Sequence, residues 1–197
     1  MEIAIVKYNA GNTQSVIYAL ERLGINPILT DDPEKLQKAD KVIFPGVGEA
    51  STTIRHLRGA GLDRVICGLK QPTLGICIGM QLMCAHSEEG DVECLGIFDL
   101  EVKKFRTEDP ALKIPHMGWN TLRDVKGPLI TEQQSGQHAY FVHSFYVPVS
   151  DYTIATTDYI NPFSAAIQRD NFYAVQFHAE KSAAPGAQIL QNFLDLK

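Results

Sequence analysis

The chain has 197 residues, 45% of them apolar and 21% charged, with a formal net charge of −5. That length suits one domain, residues 1–197, with a full hydrophobic core, and the composition is that of an ordinary water-soluble protein. The acidic balance without a dense Lys/Arg cluster argues against a nucleic-acid partner, and no apolar run approaches a membrane span.

The first half alternates short apolar runs with helical periodicity. Ile3 to Val6 is a continuous apolar strand, too short and too poor in basic residues for a secretion signal. Asn12 to Leu23 has helical spacing, with Val16, Ile17, Leu20 and Leu23 on one face, Asn12 or Thr13 as a cap and Gly24 as a stop. Pro27-Ile28-Leu29 reads as a second strand, and Asp32-Pro33 opens a brief helix. Lys41 to Phe44 is a third strand, running into the loop Pro45-Gly46-Val47-Gly48. Helical stretches pass through Ile54 and Leu57 and cover Leu62 to Leu69. Thr73 to Ile76 is a fourth strand, and Gly79 to Ala85 is helical. This order predicts an α/β fold, a doubly wound, mostly parallel central sheet with helices on both faces.

The second half reads differently. Ile97 to Phe105, His138 to Val147, Tyr152 to Thr157, Ala165 to Arg169 and Phe172 to Phe177 are strand-like segments between turns, expected as antiparallel additions to the sheet. Gln188 to Leu196 closes the chain as a helix. Sites in such sheets lie at the carboxyl ends of the strands, so the segments 45–48, 76–79 and 178–181 are expected to converge.

The four cysteines, Cys67, Cys77, Cys84 and Cys94, form no C-x-x-C pair and match no zinc spacing. They are expected as reduced thiols in a cytoplasmic protein, with Cys67, Cys84 and Cys94 as small apolar fillers. Cys77 stands apart. In Gly75-Ile76-Cys77-Ile78-Gly79 it has a glycine two residues to either side, after an apolar strand and before a helix. That is the pattern of a nucleophile elbow, whose strained backbone needs neighbours almost without side chains. Phe177-His178-Ala179-Glu180 offers a base and a carboxylate to orient it, two residues apart and on one side if the segment is a strand. His178 would take the thiol proton and return it to a leaving group. The oxyanion formed by attack on an amide needs backbone donors; the Ile78 amide is the first, and the Gly46–Val47 loop is the candidate for the second. Of the remaining histidines, His56 and His86 read as surface groups, His116 and His138 as loop or strand-edge groups, and His143 as structural. No metal or organic cofactor is called for.

Gly75-Ile76-Cys77-Ile78-Gly79-Met80-Gln81 with His178-x-Glu180 resembles the class I (triad) glutamine amidotransferases. Pro45 to Gly48, Pro115-His116-Met117-Gly118-Trp119-Asn120, Tyr140-Phe141-Val142-His143-Ser144 and Phe177 to Ser182 narrow the likeness to the glutaminase subunits of imidazole glycerol phosphate synthases, over nearly the whole chain. The resemblance implies attack of Cys77 on glutamine, release of ammonia, and hydrolysis of a glutamyl thioester. It implies a heterodimer with a β/α-barrel cyclase subunit, which uses the ammonia to make imidazole glycerol phosphate and an aminoimidazole carboxamide ribotide in histidine synthesis. It also implies that Gln81 and Glu89 bind the polar ends of glutamine, beside the backbone of Ser144 and Phe145. Read alone, Glu89 is an ordinary solvated acid.

Three features depart from that pattern. Ala179 replaces a usual proline, Phe145 a common tyrosine, and Lys7 to Asn12 is an atypical version of a loop expected at the subunit interface. An unpartnered glutaminase wastes glutamine, so activity is expected to be low until the cyclase binds its ligand, with 45–48 as the element that rearranges. The rival readings are a glutaminase of pyridoxal phosphate synthesis, a γ-glutamyl peptidase and a non-catalytic module on the same scaffold. Met117 to Asn120 argues against the first, and the intact Cys77, His178 and Glu180 argue against the last.

Overall fold

The computed structural model describes residues 1–8 and 13–197. The first half follows the alternation read from the sequence: β1 (Ile3–Val6), α1 (Thr13–Arg22), β2 (Ile28–Thr30), α2 (Pro33–Lys38), β3 (Lys41–Phe44), α3 (Ala50–Gly59), α4 (Leu62–Gly68), β4 (Thr73–Ile76) and α5 (Ile78–Met83). Local chemistry sets these boundaries. Gly24 stops α1 at φ +80°. Asp32 caps α2 by accepting from the Glu34 N–H, with Pro33 in the first turn. The expected cap at Asn12 and residues 9–12 of the atypical Lys7–Asn12 loop lie outside the described residues.

After α5 come β5 (His86–Ser87), β6 (Val92–Glu93), β7 (Glu101–Lys104), β8 (His116–Thr121), β9 (His138–His143), β10 (Phe145–Tyr146), β11 (Thr153–Tyr159), β12 (Asn161–Arg169), β13 (Phe172–Val175) and α6 (Ala183–Asp195). The central sheet has seven strands in the order β11-β12-β13-β4-β3-β1-β2. Its pairs are parallel from β2 through β13, and β12 and β11 add on antiparallel. A four-stranded sheet, β10-β7-β5-β6, and the hairpin-like pair β8-β9 flank it.

Alternate residues of the parallel strands enter opposite cores. Ile3, Ile5, Ile43, Leu74 and Val175 pack with Val16 and Leu20 of α1 and Ile189 and Phe193 of α6. Ala4, Val6, Val42, Phe44 and Ala174 pack with Leu36, Ile54, Leu57, Ile66 and Met80 from α2 to α5. Burial on both faces is why these strands read as unbroken apolar runs.

Three expectations change. The segment 97–105 pairs only as β7, because the Phe98 N–H goes instead to the Met83 carbonyl at the end of α5 and the Leu100 N–H to the Phe98 carbonyl. Helix α6 begins at Ala183 rather than Gln188. Its first turn is seated on the preceding chain, where a Cβ on Gly186 would lie 2.0 Å from the Ala179 carbonyl oxygen. Cys67 is exposed rather than an apolar filler, whereas Cys84 and Cys94 are buried.

Candidate active site

Parallel pairing brings three strand ends together. Phe44 is opposite Gly75, and Ala174 and Val175 are opposite Gly75 and Ile76. The loop after β3, the residue after β4 and the turn after β13 therefore emerge side by side. Cys77 donates its N–H to the Val175 carbonyl at 2.8 Å and sits at φ 52°, ψ −110°. A side chain held there stores about 1–3 kcal/mol of backbone strain. The flanking glycines allow it: a Cβ on Gly79 would lie 2.2 Å from the Phe44 carbonyl oxygen, and one on Gly75 would lie 3.0 Å from the backbone of Gly79 and Met80.

His178 and Glu180 are not on a strand, as the two-residue spacing suggests. β13 ends at Val175, and Ala179–Lys181 forms a 3-10 turn. The turn still brings the pair together, with His178 Nδ1 2.8 Å from Glu180 Oε1. It is braced from β9: the His178 N–H donates to the Tyr140 carbonyl, while Ser182 Oγ accepts from the Tyr140 N–H and donates to the His178 carbonyl. The His178 and Glu180 side chains are only 5% and 3% exposed, so this pair is shielded from solvent. Burial alone would lower the pKa of His178, yet hydrogen bonds to Cys77 and Glu180 and the negative charge of both override it and push the imidazole up to about 10.

The sign of that shift gives a prediction. The folded value lies above the ordinary 6.5, so protonated His178 stabilises the fold fully below about pH 6.5, and the contribution is lost as pH rises through about 10. Urea denaturation of the wild type is expected to show a larger fall in stability between about pH 6 and about pH 10.5 than that of His178→Gln. Equal falls would contradict it.

A pocket of about 300 Å³ opens over these groups. Cys77, His178, Ile78, Val47, Gln81, Glu89, Ser144 and Phe145 all line it, as does His143. Gly46 does not. It supports the site from beneath, since a Cβ there would fall 1.9 Å from Ile78 Cγ2. Among the described residues no backbone carbonyl accepts from the Ile78 N–H or the Val47 N–H, so both are candidate donors. Gln81 is 3% exposed; its Nε2 donates to the Phe145 carbonyl at 2.9 Å and to Gln176 Oε1 at 3.0 Å. Glu89 Oε2 accepts from the Ala50 N–H at 2.9 Å, and burial raises its carboxyl above the ordinary range against that bond.

Two neighbours were not expected. Gln176 Nε2 lies 3.8 Å from Cys77 Sγ. It stands two residues before His178, a spacing that could have singled it out. The buried Tyr8 donates its hydroxyl to the Pro45 carbonyl at the root of the 45–48 loop. Nothing in its local sequence marks it. Among the described residues no group of three or more His, Cys, Asp or Glu could hold a metal ion, and no helix is long and apolar enough to cross a membrane.

A family model described as glutamine amidotransferase class-I matches residues 4–196. The chain belongs to that family. Among class-I amidotransferases it is similar to the imidazole glycerol phosphate synthase subunit HisH of Bacteroides thetaiotaomicron, with 60% identity covering 100% of both chains. The subunit of the same name from Vibrio parahaemolyticus is 46% identical over 99% of this chain and 98% of its own. A crystal structure of a glutamine amidotransferase superposes with TM-score 0.74 at 18% identity, covering 97% and 98% of the two chains. PurLQS from Thermotoga maritima gives 0.69 at 16% identity, covering 98% and 97%. Those two structures support the α/β amidotransferase fold.

Proposed function

We propose that the protein is the glutaminase subunit of an imidazole glycerol phosphate synthase. Cys77 attacks the side-chain amide of glutamine, and the oxyanion is held by the N–H of Ile78 and an N–H of the Gly46–Val47 loop. His178, held by Glu180, gives its proton to departing ammonia, and water then releases glutamate from the thioester. Gln81, Glu89 and the backbone of Ser144 and Phe145 bind the ends of the substrate. The ammonia passes to a β/α-barrel cyclase subunit that forms imidazole glycerol phosphate and aminoimidazole carboxamide ribotide for histidine synthesis in the cytoplasm. The observation that carries this reading is the strained Cys77 sharing one pocket with His178, whose imidazole is held by the shielded Glu180.

Strand β8 supports a location for the partner face. Its alternation sends Met117 and Trp119 outward, 64% and 52% exposed, while His116 is buried. Exposed large apolar groups beside a catalytic pocket are what a partner would cover. Trp119→Ala is expected to weaken cyclase binding by about 2 kcal/mol, roughly thirtyfold in Kd, as judged by titration calorimetry. An unchanged Kd would move the interface elsewhere.

The test of function is glutamate release from glutamine by the protein alone and with the cyclase plus its ligand. Slow release alone and fast release in the liganded complex support the reading. Equal rates would remove the regulatory part, in which the 45–48 loop rearranges. Hydrolysis of γ-glutamyl peptides without a partner would favour a peptidase.

A further inference from the structure

Two histidines, one of them the pocket-lining His143, lie outside the chemistry described above. His116 of β8 and His143 of β9 are directly opposite in register, and both are buried. His143 Nδ1 is 2.7 Å from the Phe145 carbonyl oxygen, and His143 Nε2 is 3.0 Å from His116 Nδ1. Asn120 Nδ2 is 3.3 Å from His116 Nε2 and 2.9 Å from the Asp158 carbonyl oxygen, while Asn120 Oδ1 accepts from the Thr121 N–H.

The proton positions in this chain are dictated by its ends. A carbonyl oxygen only accepts, so His143 carries its hydrogen on Nδ1 and leaves Nε2 bare. His116 must then donate from Nδ1, which leaves its Nε2 to accept from Asn120. Asn120 meets that demand because Asp158 and Thr121 hold its amide in the one orientation that presents Nδ2. A proton added to either imidazole would set two N–H groups against each other. The surroundings keep both neutral: His116 is stacked on Tyr159 at 4.1 Å, His143 meets Phe163 at 5.0 Å, and burial lowers their pKa values to about 4 and about 3.

The chain ends at a functional atom. The Phe145 carbonyl accepts both from His143 Nδ1 and from Gln81 Nε2, so its two lone pairs are used. Gln81 spends its second N–H on Gln176, and no described residue donates to Gln81 Oε1. The amide is thereby oriented with Oε1 as the acceptor left for a substrate N–H.

We propose that Asn120, His116 and His143 form a proton-ordered positioning relay that holds the Phe145 carbonyl and, through it, the Gln81 amide, linking the strand that carries Met117 and Trp119 to the glutamine end of the pocket. This rests on the glutaminase reading above. The histidines touch no reacting atom; they act through the groups that do.

Two conservative replacements separate the relay from mere packing. His143→Asn keeps a donor near the Nδ1 position and so keeps the bond to Phe145. His143→Gln keeps an acceptor near the Nε2 position for His116 but has no donor for Phe145. In the complex with cyclase and ligand, His143→Gln is expected to raise the KM for glutamine about tenfold with a smaller change in kcat, and His143→Asn to keep KM within about threefold. Equal KM changes in the two variants, or none in His143→Gln, would overturn the relay. Nitrogen-15 NMR of the wild-type protein tests it without any variant. Neutral His116 and His143, both protonated on Nδ1 at pH 7, are expected; an Nε2-protonated or charged His143 would overturn it. If the wild-type complex releases no glutamate, the glutaminase reading fails, and the tautomer measurement still decides the relay.

Discussion

Replacing Cys77 by alanine is expected to lower glutamate release by the cyclase complex on the order of 10⁴-fold or more, while leaving the fold and the complex intact. The side chain is small and 8% exposed, so its loss leaves only a minor cavity. Alanine at the same φ of 52° carries a strain similar to that of cysteine, so stability should change little. The nucleophile, in contrast, has no substitute. Cys84 and Cys94 are buried elsewhere, with burial pushing both thiols up, Cys94 to about 12. Cys67 is exposed and contacts Leu95, away from the pocket. Residual activity within tenfold of wild type would mean that the reaction does not pass through Cys77. The same variant predicts a second change. Without the charge and hydrogen bond of Cys77, the His178 pKa should fall from about 10, as an NMR titration would show.

Gly79→Ala is expected to be among the most destabilising single changes in the chain. The added Cβ would lie 2.2 Å from the Phe44 carbonyl oxygen and 3.3 Å from its carbonyl carbon. The obstacle is backbone in a central strand of the sheet, not the end of a side chain that could swing away. Relief requires α5 to move off β3, and α5 begins at the residue after Cys77. Overpacking against such a wall costs about 3 kcal/mol, which for a chain of this size corresponds to a fall in Tm of roughly 6–12 °C. Glutamate release should fall as well, because the Ile78 N–H moves with the helix. A thermal melt within about 2 °C of wild type would show that the helix can give way without cost. Gly68 provides the control: a Cβ there has no neighbour within 4 Å, so Gly68→Ala should leave Tm and activity nearly unchanged.

Much of this architecture is written in local sequence. The parallel strands announced themselves as apolar runs because each is covered on both faces, and Gly75-x-Cys77-x-Gly79 marked the elbow through a steric demand that the Gly79 and Gly75 contacts make explicit. The His178–Glu180 pair was legible from spacing, although a 3-10 turn rather than a strand joins them. β8 carries little local signal because only one of its faces is buried and because Gly118 and Asn120 dilute the alternation. Its inward residues are polar and satisfied by long-range partners such as His143 and Asp158, which no window along the chain can reveal. The roles of Tyr8 and Gln176 are hidden for the same reason: they depend on Pro45 and on Cys77 and Gln81, 37 to 99 positions away. Sequence offers Gly46 as a backbone oxyanion donor, and only packing reveals that its missing side chain also makes room for Ile78.

The most direct test of the central claim is mass spectrometry of the cyclase complex quenched in acid during turnover of glutamine. A glutamyl group, labile to hydroxylamine, is expected on the peptide containing Cys77, absent without glutamine and absent from Cys77→Ala. Steady glutamate release with no adduct on Cys77, or with the glutamyl group on another residue, would contradict it.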